Sequence, residues 1–236
     1  MPATHVSDRG AFYIASREAL VPARYRDLVG VDTWGIGHTS AAGLPDPRAM
    51  SFAMPDSLID VYEEAWNVFQ SDLRAYSNEV LRIFGPLEQN ELDGLTAWHF
   101  NTGGAWTSGG VKVWRAGDKM GAFDRYFTKW NKVTKGGRKI VNDHLTKRRA
   151  EEKAIALRGS YPSTQMPVYP TNGRGSVIWQ PTEVFTYDDW MMFLGRTTSP
   201  YERVKDSVGN NGAIAGLIAA AIGFLVLASE TIKGWF

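Results

Sequence analysis

No cysteine occurs among the 236 residues. Its absence excludes a disulfide framework, a thiolate nucleophile and any Cys-based metal site. A chain of this kind folds in a reducing cytoplasm and still works in an oxidising periplasm. Histidine is scarce: there are four, and none stands at a ligand spacing such as His-x-x-x-His. No metal and no cofactor is therefore expected. Met1 to Gly10 shows no basic stretch followed by an apolar run, so no secretory signal is read there. Net charge is also nearly missing, at +1.

The length is enough for one sizeable domain plus an appendage, and a hydrophobic fraction of 44% supplies a packed core. Nine tryptophans are many for this length. They fit either core packing or flat aromatic faces for carbohydrate. The small net charge hides an asymmetry. Residues 1–111 carry 7 Lys+Arg against 14 Asp+Glu, whereas residues 112–158 carry 14 against 5. A basic face of this kind attracts polyanions, nucleic acid or acidic cell-wall peptides alike, or is a solvated face complementing the acidic part. No nucleic-acid-binding motif accompanies it, so no nucleic-acid partner is expected.

Phe12, Ile14, Ala15 and Ala19 suit a short helix with Glu18 near its C-terminal end, stopped by Val21-Pro22. Tyr25 to Thr39 reads as strands and tight turns. From Asp56 to Phe84 apolar residues recur at spacings of three and four, which predicts a long helix. Ser57-x-x-Asp60 resembles a capping box at its start and Gly85-Pro86 stops it. Further helices are expected at about 88–100, 106–115, 119–130 and 137–158.

Residues 159–208 contain breaker clusters such as Pro167-Val168-Tyr169-Pro170 and Thr171-Asn172-Gly173. After a domain at 1–158, residues 159–206 read as a linker or small extension that docks through Trp179, Phe185, Tyr187 and Trp190; a wall-binding module is the alternative. Ser207 to Ser229 then runs without a charge, and Ala213 to Ala228 is entirely apolar or glycine. Sixteen to twenty-three helical residues would span about 24–34 Å, against roughly 30 Å of bilayer hydrocarbon. A short or tilted transmembrane helix over 207–229 is the expectation, with membrane association and small-residue faces for self-association. A soluble core helix is the alternative.

The chemistry-bearing residues lie near the start. Glu18, Asp27 and Thr33 precede Gly35-Ile36-Gly37-His38-Thr39. Cleaving a sugar bond needs one carboxyl kept protonated to give its proton to the leaving oxygen. It also needs a second, ionised carboxyl to activate water or attack the sugar. The order acid, second carboxylate, hydroxyl resembles the phage-type lysozymes, the endolysins of glycoside hydrolase family 24. Five segments carry the resemblance, over roughly residues 10–158. They are Arg17-Glu18-Ala19-Leu20; Tyr25-Arg26-Asp27-Leu28-Val29-Gly30, like Tyr-x-Asp-x-x-Gly; Asp32 to Thr39, like Thr-x-Gly-x-Gly-His-Thr; Phe100-Asn101-Thr102-Gly103; and Leu145 to Glu152, like Leu-x-x-Arg-Arg-x-x-Glu.

The resemblance implies an α+β, lysozyme-like two-lobed domain: a small β-containing N-lobe, a long connecting helix and a helical C-lobe. To these are added the C-terminal extension and the hydrophobic tail helix. It implies hydrolysis of the β-1,4 bond between N-acetylmuramic acid and N-acetylglucosamine in peptidoglycan, in general with inversion. Glu18 then matches the general acid, which must be kept protonated by partial burial. Asp27 matches the carboxylate that helps to activate water, and Thr33 the hydroxyl that holds it. Gly35 and His38 support the site, and His38 is expected to pack or pair with a carboxylate of the long helix rather than to catalyse. Asn101 braces the helices behind the cleft, and Arg148 or Arg149 reaches Glu18. Asp32 is a competing carboxylate whose spacing reads instead as a turn residue.

Two departures stand out: Ala19 replaces the usual glycine after the acid, and His144 stands where glycine often precedes the leucine. The protein is expected to be made in a host cytoplasm and to act in the periplasm or at the wall, held at the inner membrane by its tail. A lytic transglycosylase acting on the same bond and a non-catalytic, membrane-anchored peptidoglycan-binding protein are the alternatives.

Overall fold

A computed structural model of the chain describes residues 1–195, of which 1–187 form one compact unit and a second begins at Asp188. Only residues 188–195 of the second unit are described. They hold all but the first residue of α7 (Tyr187–Phe193), in which Trp190 stacks on Phe193. The charge-free run at 207–229, with the expected tail helix, lies outside the described residues. Among those described, no helix is long and apolar enough to cross a membrane.

The first unit begins with α1 (Asp8–Glu18), capped by the Ser7 hydroxyl, which accepts from the Gly10 amide. Its middle, Gly10 to Ala15, is buried throughout, so the helix is a core element that delivers Glu18 to the surface at its last turn. A three-stranded antiparallel sheet follows: β1 (Val21–Arg26), β2 (Asp32–Gly35) and β3 (His38–Thr39). Tyr25 pairs with Thr33, and Thr33 with Thr39, so these three lie side by side across it.

The long helix α2 (Leu58–Phe84) packs on this sheet at its start and on the helical region beyond, as its amphipathic spacing requires. Ser57 does not cap it through the backbone; its hydroxyl bonds to the Asp60 carboxylate at 2.9 Å. The helical region holds α3 (Gln89–Thr102), α4 (Gly110–Arg115), α5 (Lys119–Arg125) and α6 (Asp143–Arg158). α3 is buried from Glu91 to His99 and crosses α6 closely. A β-carbon on Gly94 would come within 2.6 Å of the Ala156 amide nitrogen. Val80, Phe84, Leu92, Leu95, Trp98, Trp114, Phe123 and Phe127 form the core beside them. Trp34, Trp66, Trp98, Trp114 and Trp190 are buried, and Trp106, Trp130 and Trp179 are exposed.

The helix expected over 137–158 begins only at Asp143. Before it, β4 (Lys132–Lys135) and β5 (Arg138–Val141) form an exposed antiparallel hairpin. Gly136 and Gly137, both at positive φ, close it in a two-residue turn that ordinary residues resist. The paired Val133 and Ile140 favour strand over helix, and the Asn142 side chain starts α6 by accepting from the Leu145 amide.

After α6 the chain stays on the first unit. β6 (Gln165–Val168) pairs with β7 (Glu183–Thr186), and Val168 also forms a parallel bridge to Leu20. Phe185 sets its ring edge-on to Tyr62, and Tyr187 to Phe12.

Candidate active site

Glu18 ends α1 and lies over the turn between β2 and β3. Its Oε2 is 4.0 Å from the place a β-carbon on Gly37 would occupy, an ordinary contact distance; the glycine is there for the turn, at φ +72°. Its side chain is 26% exposed. On the other side, Arg148 Nη1 and Nη2 both donate to Oε1 at 3.2 Å. Of the two candidate arginines, Arg148 is the one that reaches Glu18.

Arg149 turns inward instead. Its Nη2 donates to Asn101 Oδ1 at 2.6 Å and to Glu152 Oε1 at 2.9 Å. Arg148 Nε reaches the same Glu152 oxygen at 3.1 Å. Glu152 is fully buried between the two guanidinium groups. Burial pushes its carboxyl up to about 7, against the pull of Arg149 and Arg148. The same burial lowers Arg149 from the usual guanidinium value. Glu151, next door, accepts from Tyr13 Oη at 3.1 Å and pairs with Arg17 Nη2 at 2.5 Å, so α6 is tied to α1 as far as the residue before Glu18.

Asp27 lies just beyond β1, at the start of the turn to β2. Its Oδ1 accepts from the amides of Val29 and Val31 at 2.9 and 2.8 Å, so one oxygen of this carboxylate builds the turn. The Val31 carbonyl in turn accepts from the Asp27 amide and from the Thr33 hydroxyl at 3.2 Å. Asp27 and the buried Thr33 are thus gathered around one residue. Asp32, the competing carboxylate, is bound to Arg24 Nε at 2.8 Å, which holds it below the usual carboxylate range.

Tyr25, beside Thr33 on β1, brings the two carboxylates into one field. Burial raises its phenol to about 12, and the negative charges of Glu18 and Asp27 push the same way. It therefore keeps its proton and presents a polar O–H. The pairing of Tyr25 with Thr33 follows from the strand register, which no count along the chain reveals.

Gly35 packs against α2, where a β-carbon would meet that of Ala65 at 3.2 Å; its place is behind the site. His38 is buried, with Nδ1 at 2.8 Å from Asp72 Oδ2 on α2 and Nε2 donating to the Pro45 carbonyl at 2.8 Å. Both nitrogens are used, so either the ring is an imidazolium or Asp72 carries the shared proton. Burial raises Asp72, and His38 works against that rise. Among the described residues no group of three or more His, Asp or Glu is placed to hold a metal ion.

Ala19 has φ +64° and ψ 171° and is the one non-glycine at positive φ among the described residues. That region belongs almost wholly to glycine and costs another residue about 1–3 kcal/mol. The strain sits between Glu18 and β1.

Comparison with known proteins follows the same outline. A family profile described as phage lysozyme matches residues 15–152. Among solved structures, an endolysin from Escherichia coli O157:H7 phage FAHEc1 is 29% identical with a TM-score of 0.55, over 66% of this chain and 96% of that one. The muramidase domain of SpmX from Asticaccaulis excentricus is 24% identical with a TM-score of 0.53, over 64% and 97%. P22 lysozyme is 24% identical with a TM-score of 0.52, over 65% and 98%. At 24% identity the likeness speaks for the fold alone. A sequence comparison with curated proteins finds no significant match.

Proposed function

This chain belongs to the phage lysozyme family, and on that premise we propose that Glu18 is its general acid, acting with Asp27 and Thr33 in an inverting cleavage. Its substrate is peptidoglycan and its activity that of a glycoside hydrolase, a muramidase. The bond is the β-1,4 link between N-acetylmuramic acid and N-acetylglucosamine. The observation that carries the reading is the double donation of Arg148 to Glu18 Oε1, which leaves Oε2 facing the sheet turn. Glu18 gives its proton to the glycosidic oxygen and becomes a carboxylate, whose new charge Arg148 stabilises. Asp27 keeps Oδ2 for a water while Oδ1 is anchored in the turn. The Thr33 hydroxyl spends its hydrogen on the Val31 carbonyl and offers lone pairs to that water. As the water oxygen bonds to the anomeric carbon, one of its protons passes to Asp27 and the leaving sugar departs with the proton from Glu18.

The biological setting is host-wall lysis at the end of a phage infection. The charge-free run 207–229 supports a tether at the inner membrane, which membrane fractionation of the chain with and without that run would test.

The test of the chemistry is mass spectrometry of purified peptidoglycan digested by the full chain and by Glu18→Gln. Hydrated reducing products, released first as the α-anomer and missing in the variant, are expected. Anhydro products would instead assign a lytic transglycosylase, and no products from either chain a binding role.

A further inference from the structure

We propose that residues 161–179, beyond the region that matches the family, clamp the backbone on either side of the reacting pair and so position Glu18 and Asp27. The proposal rests on the reading of those two carboxylates given above. Three attachments carry it.

The first is at Leu20, two residues after Glu18. The Leu20 amide donates to the Pro167 carbonyl at 3.0 Å, and the Tyr169 amide donates to the Leu20 carbonyl at 2.9 Å. Leu20 is thereby held like a strand residue along β6. Ala19, in its glycine-type conformation, lies between this fixed point and α1, where its amide donates to the Ala15 carbonyl at 2.9 Å. A strained residue persists only where its surroundings over-determine it. Here the helix holds one side of it and β6 the other.

The second attachment is at Arg26, the residue before Asp27, whose amide donates to the Gly175 carbonyl at 2.8 Å. Gly175 sits so close to the Phe52 ring that a β-carbon there would come within 2.8 Å of a ring carbon. Thr171 Oγ1 donates to the Phe52 carbonyl at 2.9 Å, and the guanidinium groups of Arg24 and Arg26 lie over the same ring at 4.3 and 5.2 Å. The third attachment is at the start of α1: Tyr161 Oη donates to Asp93 at 2.5 Å, and Asp93 also accepts from the Ser7 amide that precedes the helix, at 2.9 Å. The segment itself is braced by the four β6–β7 pairs and by the Thr171–Val177 bridge. The helix that ends at Glu18 and the strand that ends at Arg26, just before Asp27, are therefore fixed to one body.

Family membership alone does not give this device, because the match ends at residue 152. The test compares Tyr169→Pro, which deletes the amide that bonds Leu20, with Tyr169→Ala, which deletes only the ring. Both are made in the full chain and assayed below their melting temperatures on soluble peptidoglycan fragments. Tyr169→Pro is expected to lower kcat by about tenfold to a hundredfold with KM little changed, as displacement of a reacting group by about 1 Å does. It should also displace the high-pH limb of the rate profile. Tyr169→Ala should keep both near the parent values. Equal kcat and superimposable pH profiles in the two variants would overturn the clamp. If Tyr169→Pro does not fold, Thr171→Val serves, since it removes the hydroxyl, with its bond to the Phe52 carbonyl and its 3.4 Å contact from the Gly173 amide, and leaves the backbone amides in place. A severalfold loss of kcat at constant KM supports the proposal, and an unchanged kcat defeats it. Glu18→Gln is run alongside. Activity that survives it overturns the catalytic reading and the clamp together, whereas loss in Glu18→Gln with parental Tyr169→Pro overturns the clamp alone.

Discussion

The two sides of the candidate site hold their polar groups in opposite ways. On the sheet side, Asp27, Thr33 and His38 each bond to a backbone group no more than seven residues away. On the helical side, Arg148, Arg149, Glu152 and Asn101 bond to one another and to Glu18 through side chains, the longest link spanning 130 residues. The polar groups on the sheet side are thus held mainly by local turns, with His38 reaching Asp72 on α2 as well. The helical side is a buried charge cluster that exists only when α3 and α6 have packed. Reaction rate should therefore depend most on Glu18 and its sheet partners, and stability most on the cluster.

The largest effect expected is on rate. Glu18→Gln keeps an acceptor for Arg148 but has no proton to give, so kcat should fall by about a hundredfold to ten-thousandfold. Its melting temperature should stay close to that of the parent. A large loss of stability with modest loss of kcat would reverse the assignment of roles to the two sides.

Arg149→Ala probes the other side. It leaves Glu152 buried with only one cation and Asn101 without its donor. Breaking a buried pair in this way costs about 3–5 kcal/mol, to be read from urea unfolding. A change below about 1 kcal/mol would show that the cluster is not what holds α6 in place.

That difference also explains what could be read along the chain. The segments around Glu18, Asp27 and Thr33 are short and self-contained, so their order and family resemblance are enough to name them as candidates from sequence. The amphipathic stretch of α2 and its glycine stop were equally plain. The choice between Arg148 and Arg149 was not, because it depends on which face of α6 meets α3, and the two residues are neighbours in sequence. Glu152 gave no local sign of full burial, and Tyr25 became a site residue only through strand register. The β4–β5 hairpin is hidden in sequence because Lys and Arg fit a helix as well as an exposed strand, and the deciding turn rests on the adjacent Gly136 and Gly137 alone. The contacts of residues 161–179 with Leu20 and Arg26 span well over a hundred residues, beyond the reach of any pattern.

The pH dependence of stability sharpens the comparison at intermediate size. The Glu152 carboxyl rises in the folded chain to about 7 from an ordinary 4.5. Between those values the folded state holds a proton that the unfolded state has lost. Its stabilising contribution is complete below about 4.5 and disappears as pH rises to about 7, at no more than about 1.4 kcal/mol per pH unit. Urea midpoints across that range should fall for the parent and flatten for Glu152→Gln. A variant with the parent's slope would place the titrating group elsewhere.

The smallest effect tests the sheet side's one departure from local ease. Ala19→Gly removes the β-carbon that makes φ +64° and ψ 171° costly. The gain of about 1–3 kcal/mol is offset by the greater freedom of glycine in the unfolded chain, about 0.4–1 kcal/mol, so a net stabilisation near 1 kcal/mol is expected. Thermal unfolding measures it, and kcat measured beside it decides what the strain does. If stability rises and kcat holds, the bonds of Leu20 to β6 set the position of Glu18 and the alanine is only a cost. If stability rises and kcat falls, the stiffness of an alanine at this bend is itself part of how the carboxyl is aimed, and the sheet side owes its geometry to strain as well as to hydrogen bonds.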